Sequence, residues 1–239
     1  MAMEFTRSSQ SVYLLRVQES LSYRLYLVAK RIMDVVIASI ALILAAPIML
    51  VVGLAIKLDS PGPVLFKQQR VKGLGPDGKP ILFTFYKFRS MYHQADSSVH
   101  RKFMTDFING NGTLHKDTNG RAVYKLASDR RVTRVGRFIR KTSLDELPQL
   151  INVIKGDMSL VGPRPAIPYE VEQYKEWHKR RLLVTPGITG LWQVKGRSSV
   201  TFDEMVRWGI EYAEDRFLGM DLRILLQTIP AVLSGKGAA

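Results

Sequence analysis

The chain has 239 residues, 46% of them hydrophobic and 23% charged, which is too apolar for disorder and too charged for a protein held wholly within a bilayer. A net charge of +14 calls for anionic partners such as phosphorylated substrates, nucleic acid or an anionic lipid surface. The lack of cysteine excludes disulfides, thiolate nucleophiles and cysteine-ligated zinc.

In chain order, Leu14, Val17, Leu21, Leu25 and Val28 recur at helical spacing with Arg16, Glu19 and Arg24 elsewhere on the helix, the pattern of an interfacial helix. Lys30 and Asp34, spaced i,i+4, are expected to pair where this helix enters the membrane. Val35 to Ile56 then carries no charge. About 22 residues give a helix of roughly 33 Å, enough to cross a bilayer core. No cleavable signal peptide is expected, because the run starts late and no small-residue cleavage site follows. Two features favour a re-entrant helix-break-helix over a straight crossing. Pro47 removes a helical hydrogen bond and clashes with the carbonyl of Ile43. Basic residues also flank the run on both sides, Lys30 and Arg31 before it and Lys57, Lys67 and Arg70 after it, without the asymmetry of a spanning helix.

Beyond the membrane segment the texture becomes strand. Val64 to Val71 and Ile81 to Phe88 flank a turn-rich stretch containing Gly75-Pro76-Asp77-Gly78, which predicts a hairpin. Its second strand carries Lys87 and Arg89 to one end. From Tyr92 to Val123 the chain is polar and reads as a surface insertion with a short helix around Lys102 to Phe107. The four histidines, His93, His100, His115 and His178, show no metal-ligand spacing and read as surface residues.

Next comes the basic run Arg130, Arg131, Arg134, Arg137, Arg140 and Lys141, followed by the adjacent acids Asp145 and Glu146. Carboxylates among cations suit a place where anions meet a divalent metal. Two structural alternatives stand beside that reading. In one, Ser143 to Glu146 forms a helix capping box; in the other, Asp145 caps a helix whose third position is Pro148. In both, Leu147, Leu150, Ile151 and Ile154 form the buried stripe, and both acids lie at a positive helix end. Further on, Trp177 and Lys179-Arg180-Arg181 suit contact with lipid headgroups. Met205 to Leu233 reads either as amphipathic helix on the membrane or as a core helix pair.

The stretches Ser60-Pro61-Gly62-Pro63-Val64, Lys87-Phe88-Arg89-Ser90-Met91, Arg140 to Leu150, Gly156 to Pro165 and Pro186 to Val194 resemble the bacterial sugar transferase family. These are monotopic phosphoglycosyl transferases that load a sugar phosphate onto a polyprenyl phosphate carrier. The resemblance implies an α/β fold, mostly α with a small β-hairpin or sheet. It implies an N-terminal membrane part over 1–58, re-entrant at Pro47, and a catalytic domain over 59–239 on the cytoplasmic face of the bacterial inner membrane. One departure is Ala46, where members often have serine before the proline.

The resemblance further implies that Asp145 is the nucleophile and that Glu146 holds Mg2+. Lys87, Arg89, Arg140, Arg164, Gln193 and Arg197 would address substrate phosphates. The implied partners are a nucleoside-diphosphate sugar, with a uridine-diphosphate donor expected, polyprenyl phosphate and anionic lipids. Nucleic acid is not expected, since aromatic and basic residues are little interleaved. The oligomeric state stays open, with a homodimer as one option. Direct one-step transfer by a spanning enzyme and a non-catalytic basic membrane module remain the alternatives.

Overall fold

The computed structural model describes residues 21–112, 114–116, 122–124, 129–196 and 199–233. The start of the expected interfacial helix, at Leu14 and Val17, lies outside them, as does Arg197. The described residues are mostly helical, with three two-stranded sheets.

Helix α1 (Leu21–Asp59, 39 residues) dominates the N-terminal part, and its most apolar window has a mean hydropathy of 2.9. It is the one described helix long and apolar enough to cross a membrane. Asp34, Ala38, Val52 and Ile56 are buried on its inner face, where Ala41, Leu42 and Met49 add apolar contacts. Ile43, Leu44, Leu50 and Val51 remain exposed. A helix that leaves this much apolar surface uncovered is compatible with membrane association.

The break expected at Pro47 is not an interruption: α1 is helical through the proline. A single proline deletes one backbone donor and leaves the flanking turns free to keep theirs. Helix on both sides of Pro47 is fastened to the same folded domain. On the first side Arg31 donates to the carbonyls of Val153 (2.6 Å) and Ile154 (2.7 Å). On the second, Asp59 accepts the Val135 N–H at 3.1 Å.

The expected pairing of Lys30 with Asp34 is corrected by the same packing. Asp34, turned inward, accepts the Leu160 N–H at 3.0 Å, and Lys30 lies 3.2 Å from Asp221. Both side chains sit on the buried side of α1, where partners from distant elements meet charge better than a neighbour one turn away.

Strands β1 (Leu65–Leu74) and β2 (Pro80–Phe88) form the predicted hairpin, antiparallel with a bulge between Val71 and Gly73. Its turn closes through Gly78 N–H to Gly75 O (2.9 Å), with Gly78 at φ 73°. The insertion carries α2 (Ser98–Ile108), longer than expected from sequence, then the short antiparallel pair β3 (His115–Lys116) and β4 (Ala122–Val123). Helix α3 (Arg134–Lys141) starts at Thr133, whose hydroxyl accepts the Gly136 N–H at 2.9 Å, a standard N-cap. A single 3-10 turn (Leu144–Glu146) leads to α4 (Gln149–Lys155) and β5 (Ser159–Val161).

The expected stripe holds in part, with Leu150 buried and Leu147 and Ile154 packed against the same core. Because α4 begins at Gln149 and not at the acids, its inward face is Gln149, Leu150, Asn152 and Val153. Asn152 is fully buried and satisfied, accepting the Tyr86 N–H and donating to Thr84 O across to β2.

The C-terminal part runs through α5 (Pro168–Val171), a 3-10 segment (Glu176–Leu183), β6 (Gly187–Thr189), α6 (Leu191–Lys195), α7 (Phe202–Asp215) and α8 (Leu218–Leu233). Strands β5 and β6 pair in parallel. A Cβ on Gly187 would lie 2.1 Å from the Gly162 nitrogen, so glycine is required for the two backbones to meet. That contact sets the turn Gly162 to Pro165.

The open choice at the C-terminus divides between the two helices. Helix α7 is core, with Phe202, Met205, Val206, Ile210 and Tyr212 buried. Helix α8 buries Ile224 and exposes Leu222, Leu226 and Ile229.

Two surface readings are corrected. His178 is fully buried, accepting the Lys175 N–H and facing Asp203 at 3.2 Å, and His100 is half-buried against the Tyr169 hydroxyl at 2.7 Å. In the run Lys179-Arg180-Arg181, Lys179 pairs with Glu176 and Arg180 with Glu214, while Arg181 is buried and donates to Arg164 O at 3.1 Å. Lys179 and Arg180 thus stay at the surface in exposed pairs, and Arg181 alone is taken into the protein.

Candidate active site

A cavity of about 740 Å³ opens where the hairpin, α2, α3, the 3-10 turn and the Gly162 to Pro165 turn converge. Lys87, Arg140, Asp145, Glu146, Arg164 and Gln193 all line it, so the structure gathers six of the eight residues assigned to substrate and catalysis. Each arrives by a separate local rule. Lys87 ends β2, which Asn152 holds in place through Tyr86. Arg140 lies in the last turn of α3. Arg164 stands between Pro163 and Pro165, whose rings restrict the turn.

The acids sit on a strained turn. Ser143 adopts φ 57°, ψ 14°, the left-handed region that costs a residue with a Cβ roughly 1 kcal/mol or more. Its side chain makes no cap hydrogen bond. The capping-box alternative therefore does not describe this turn. Nor does Asp145 cap a helix, since Pro148 occupies that position before α4. The turn instead points both carboxylates at the cavity.

Asp145 is 2% exposed. Lys87 Nζ lies 2.7 Å from Asp145 Oδ2 and 3.6 Å from Glu146 Oε1. The Asp145 contact is close in distance but off the hydrogen-bond axis, and Oδ2 has no hydrogen-bond donor among the described residues. The pair is thus charge-neutralised without that oxygen's lone pairs being taken up. Glu146 keeps a side-chain exposure of 41% toward the cavity. Crowding by the surrounding walls pushes its carboxyl up; Lys87 pulls it down and Asp145 adds to the rise. Water entering the cavity moderates that shift and leaves its direction.

Behind the acids Arg164 belongs to a second charged group, whose other members, Glu170 and Arg70, the sequence did not assign to the site. Arg164 Nη1 pairs with the fully buried Glu170 at 3.2 Å. Arg70, from the middle of β1, donates to Pro165 O at 2.9 Å, covers the Phe85 ring at 5.0 Å and lines the cavity. Burial, and then the nearby Arg164, push its guanidinium down to about 10, so it stays a cation at neutral pH. In sequence Arg70 looks no different from Lys67 or Lys72; only the strand register turns it inward. Burial and Arg164 likewise push the His100 imidazole down to about 4, which leaves it neutral here.

Arg89 is corrected from the phosphate-binding set. It is buried, and its guanidinium donates to Pro61 O (2.9 Å), Ile56 O (3.3 Å), Ser60 O (2.6 Å) and Ser60 Oγ (3.1 Å). These acceptors lie at or just past the end of α1, where helix carbonyls lack partners of their own. Gly62, at φ 123°, makes room: a Cβ there would come within 2.1 Å of the Arg89 guanidinium. Arg89 is a clasp between α1 and the sheet.

A divalent cation fits the donor set in a limited way. Among the described residues no group of three or more His, Cys, Asp or Glu side chains converges. Glu146, with Asp145 beside it, offers hard oxygens to the open cavity, the partial shell that Mg2+ completes with water and substrate phosphates.

Comparison with known proteins places the chain in a family. Residues 25–235 match the family described as bacterial sugar transferase. The chain is 42% identical over 89% of its length to the galactosyl transferase CpsE of Streptococcus agalactiae, and covers 44% of that protein. It is 43% identical over 96% of its length to the undecaprenyl-phosphate galactose phosphotransferase of Salmonella typhimurium, covering 46% of it. To the exopolysaccharide production protein ExoY of Rhizobium meliloti it is 37% identical, with 98% of each chain aligned. The chain thus spans about half the length of the first two and almost all of the third. With the matched residues running from α1 to α8 and enclosing the whole cavity, the chain belongs to the bacterial sugar transferase family.

Proposed function

We propose that this protein transfers a sugar 1-phosphate from a nucleoside-diphosphate sugar to polyprenyl phosphate through a covalent phosphosugar intermediate on Asp145. The observation that carries the reading is the Asp145 carboxylate, buried at the cavity wall, 2.7 Å from Lys87 and with Oδ2 free of hydrogen-bond donors among the described residues. The named activity of the Salmonella relative, a phosphotransferase of undecaprenyl phosphate, supports the same chemistry. The expected donor carries uridine diphosphate, as the name of an Escherichia coli relative, a UDP-glucose:undecaprenyl-phosphate glucose-1-phosphate transferase, suggests.

In the first step an Asp145 oxygen bonds to the sugar-bearing phosphorus. The bond from that phosphorus to the bridging oxygen breaks, and nucleoside monophosphate leaves with the electron pair. In the second, an oxygen of polyprenyl phosphate attacks the same phosphorus and the Asp145 carboxylate departs, leaving a polyprenyl-diphosphate sugar. Lys87 holds the carboxylate in place and offsets its charge, while Arg140 and Arg164 balance phosphate oxygens whose mutual repulsion would otherwise oppose attack. Glu146 would hold Mg2+, which when bound neutralises charge on the diphosphate. Two steps on one carboxylate let two anionic substrates use the site in turn.

The membrane arrangement in this proposal is re-entrant. Helix on both sides of Pro47 returns to one domain, and α1 and α8 leave their apolar faces uncovered for the lipid. This places the cavity at a membrane surface, in reach of a lipid-borne acceptor and a soluble donor; the cytoplasmic face of the inner membrane is the side proposed. The chain has no cysteine, so Arg24→Cys and Leu58→Cys each present one thiol, the latter at a position 88% exposed. An impermeant maleimide should label both from the same side, and opposite-side labelling would rule out re-entry.

The chemistry is tested by intact mass. Protein incubated with Mg2+ and a panel of uridine-diphosphate sugars should gain one sugar phosphate, and Asp145→Asn should gain none. Turnover with polyprenyl phosphate but no adduct from any donor would replace the covalent route with direct transfer.

A further inference from the structure

The cavity has an aromatic wall that the phosphate chemistry does not use. Phe103 and Phe107 from α2 and Tyr124 just after β4 all line it and all are half-buried. The Phe103 and Phe107 rings lie within 12° of parallel with centroids 6.1 Å apart, and Tyr124 leans on Phe107 at 5.1 Å. Phe107 is anchored edge-on to the core residue Phe202 at 5.7 Å. Phe107 is therefore fixed from behind, and the three rings add flat apolar surface to a cavity that Lys87, Arg70, Arg140 and Arg164 also line.

Helix α2 is also fastened to the phosphate-facing cations. His100 meets the Tyr169 hydroxyl at 2.7 Å, and Arg101 covers the Tyr169 ring at 5.1 Å. The next residue, Glu170, pairs with Arg164. The insertion thus sets an aromatic platform beside Arg164 and Arg70, the arrangement needed by a ligand with a flat ring at one end and phosphates at the other. The lipid acceptor has no such ring, and its approach is provided elsewhere, where Ala41 of α1 and Thr228 and Val232 of α8 line the cavity.

We infer that Phe103, Phe107 and Tyr124 form the nucleoside subsite of the sugar donor, with Phe103 stacking on the base while Arg70 and Arg164 address the diphosphate. This rests on the transferase reading above. Every base has a π-face, and losing one stacking ring weakens binding by about tenfold.

The test uses the full chain in detergent, with calorimetric titration of uridine diphosphate and of inorganic pyrophosphate, plus steady-state KM values for donor and acceptor. Phe103→Ala should raise the uridine diphosphate Kd and the donor KM by about tenfold. Pyrophosphate affinity, the acceptor KM and the melting temperature should hold. Phe103→Leu, which restores apolar bulk but no ring, should stay weak, whereas Phe103→Trp should recover. Unchanged uridine diphosphate affinity in Phe103→Ala overturns the subsite. So does a rise in acceptor KM that Phe103→Leu repairs, which would give the wall to the isoprenoid chain. If the unaltered protein binds neither uridine diphosphate nor pyrophosphate, the transferase reading falls and the subsite with it.

Discussion

Two buried aspartates, each beside a lysine, have opposite surroundings. Asp221 of α8 is fully buried, and its two oxygens accept from the Tyr212 hydroxyl at 2.6 Å and the Tyr26 hydroxyl at 3.0 Å, with Lys30 at 3.2 Å. Asp145 is almost as buried, but its Oδ2 has Lys87 off-axis at 2.7 Å and no hydrogen-bond donor among the described residues. A carboxylate whose lone pairs are taken up by tyrosines is held as structure, tying α1, α7 and α8 together. One that is charge-compensated yet has a buried oxygen with no donor, in a residue at a cavity wall, suits the proposed nucleophile. Burial and a nearby cation alone do not separate the two roles; the number of donors aimed at the oxygens does.

Exchange of each acid should split activity from stability. Asp145→Asn should lower turnover by at least about 10⁴-fold, the scale set by loss of a covalent nucleophile, with little change in melting temperature. Asp221→Ala should do the reverse. It strands Lys30 and two tyrosine hydroxyls, costing about 3–5 kcal/mol as removal of one partner of a buried ion pair does, seen as a lower melting temperature in detergent. Equal loss of activity from both, at equal stability, would erase the distinction.

Lys87→Met probes how far the reactive acid depends on its cation. With Lys87 gone, Asp145 faces Glu146 without the cation that lies near both, and developing charge on the phosphate loses a donor. A fall in kcat of about 10²–10³-fold is expected, the size of losing one preorganised donor. The melting temperature should change far less than in Asp221→Ala. A collapse in stability instead would make Lys87 a strut like Lys30.

How far this contrast could be seen in the sequence depends on the distance between partners. The acid pair, the hairpin and the Pro163-Arg164-Pro165 turn are local patterns, and the residues in them reach the cavity. Asp221 carried no mark, because its partners Tyr26, Lys30 and Tyr212 come from both ends of the chain. The same blindness produced the Lys30–Asp34 pairing, which respects helical spacing but ignores that α1 turns both residues toward other elements. Arg89 looked like a phosphate ligand through its nearness to Lys87, yet β2 ends at Phe88, and beyond the strand Arg89 is turned to the carbonyls at Ile56 and Ser60. Arg70 read only as a basic flank of the apolar run, for want of any local feature pointing to the cavity. Long-range packing decides which cation faces the cavity and which braces the fold.

The cluster behind Arg164 gives a pH test on the structural side of the contrast. Burial alone would raise the Glu170 carboxyl, but Arg164, Arg70 and the Ile167 N–H hold it below the ordinary glutamate range. A depressed folded-state value means the contribution is fully present above the unfolded value, about 4.3. It is lost as pH falls from there through the folded value. Glu170→Gln should therefore melt lower than the unaltered protein at pH 6 to 7. The gap should narrow only below about pH 4. A gap that does not change with pH would show that Glu170 acts by shape and hydrogen bonding, without its charge.

The smallest effect is expected at Ser143, where the reactive turn departs most from an ordinary backbone. Its left-handed conformation costs about 1 kcal/mol or more for a residue with a Cβ, and glycine would remove that cost. Glycine also enlarges the freedom of the unfolded chain, offsetting about 0.4–1 kcal/mol. Ser143→Gly should consequently leave stability within about 1 kcal/mol of the starting value. Its effect should appear in kcat, because a turn that glycine lets wander presents Asp145 to phosphorus less often. A drop in kcat of several-fold at constant donor KM would show that the strained serine positions the carboxylate. Unchanged kcat would mean that Lys87 and the buried face of α4 fix Asp145 without it, and that the strain at Ser143 only joins α3 to the 3-10 turn.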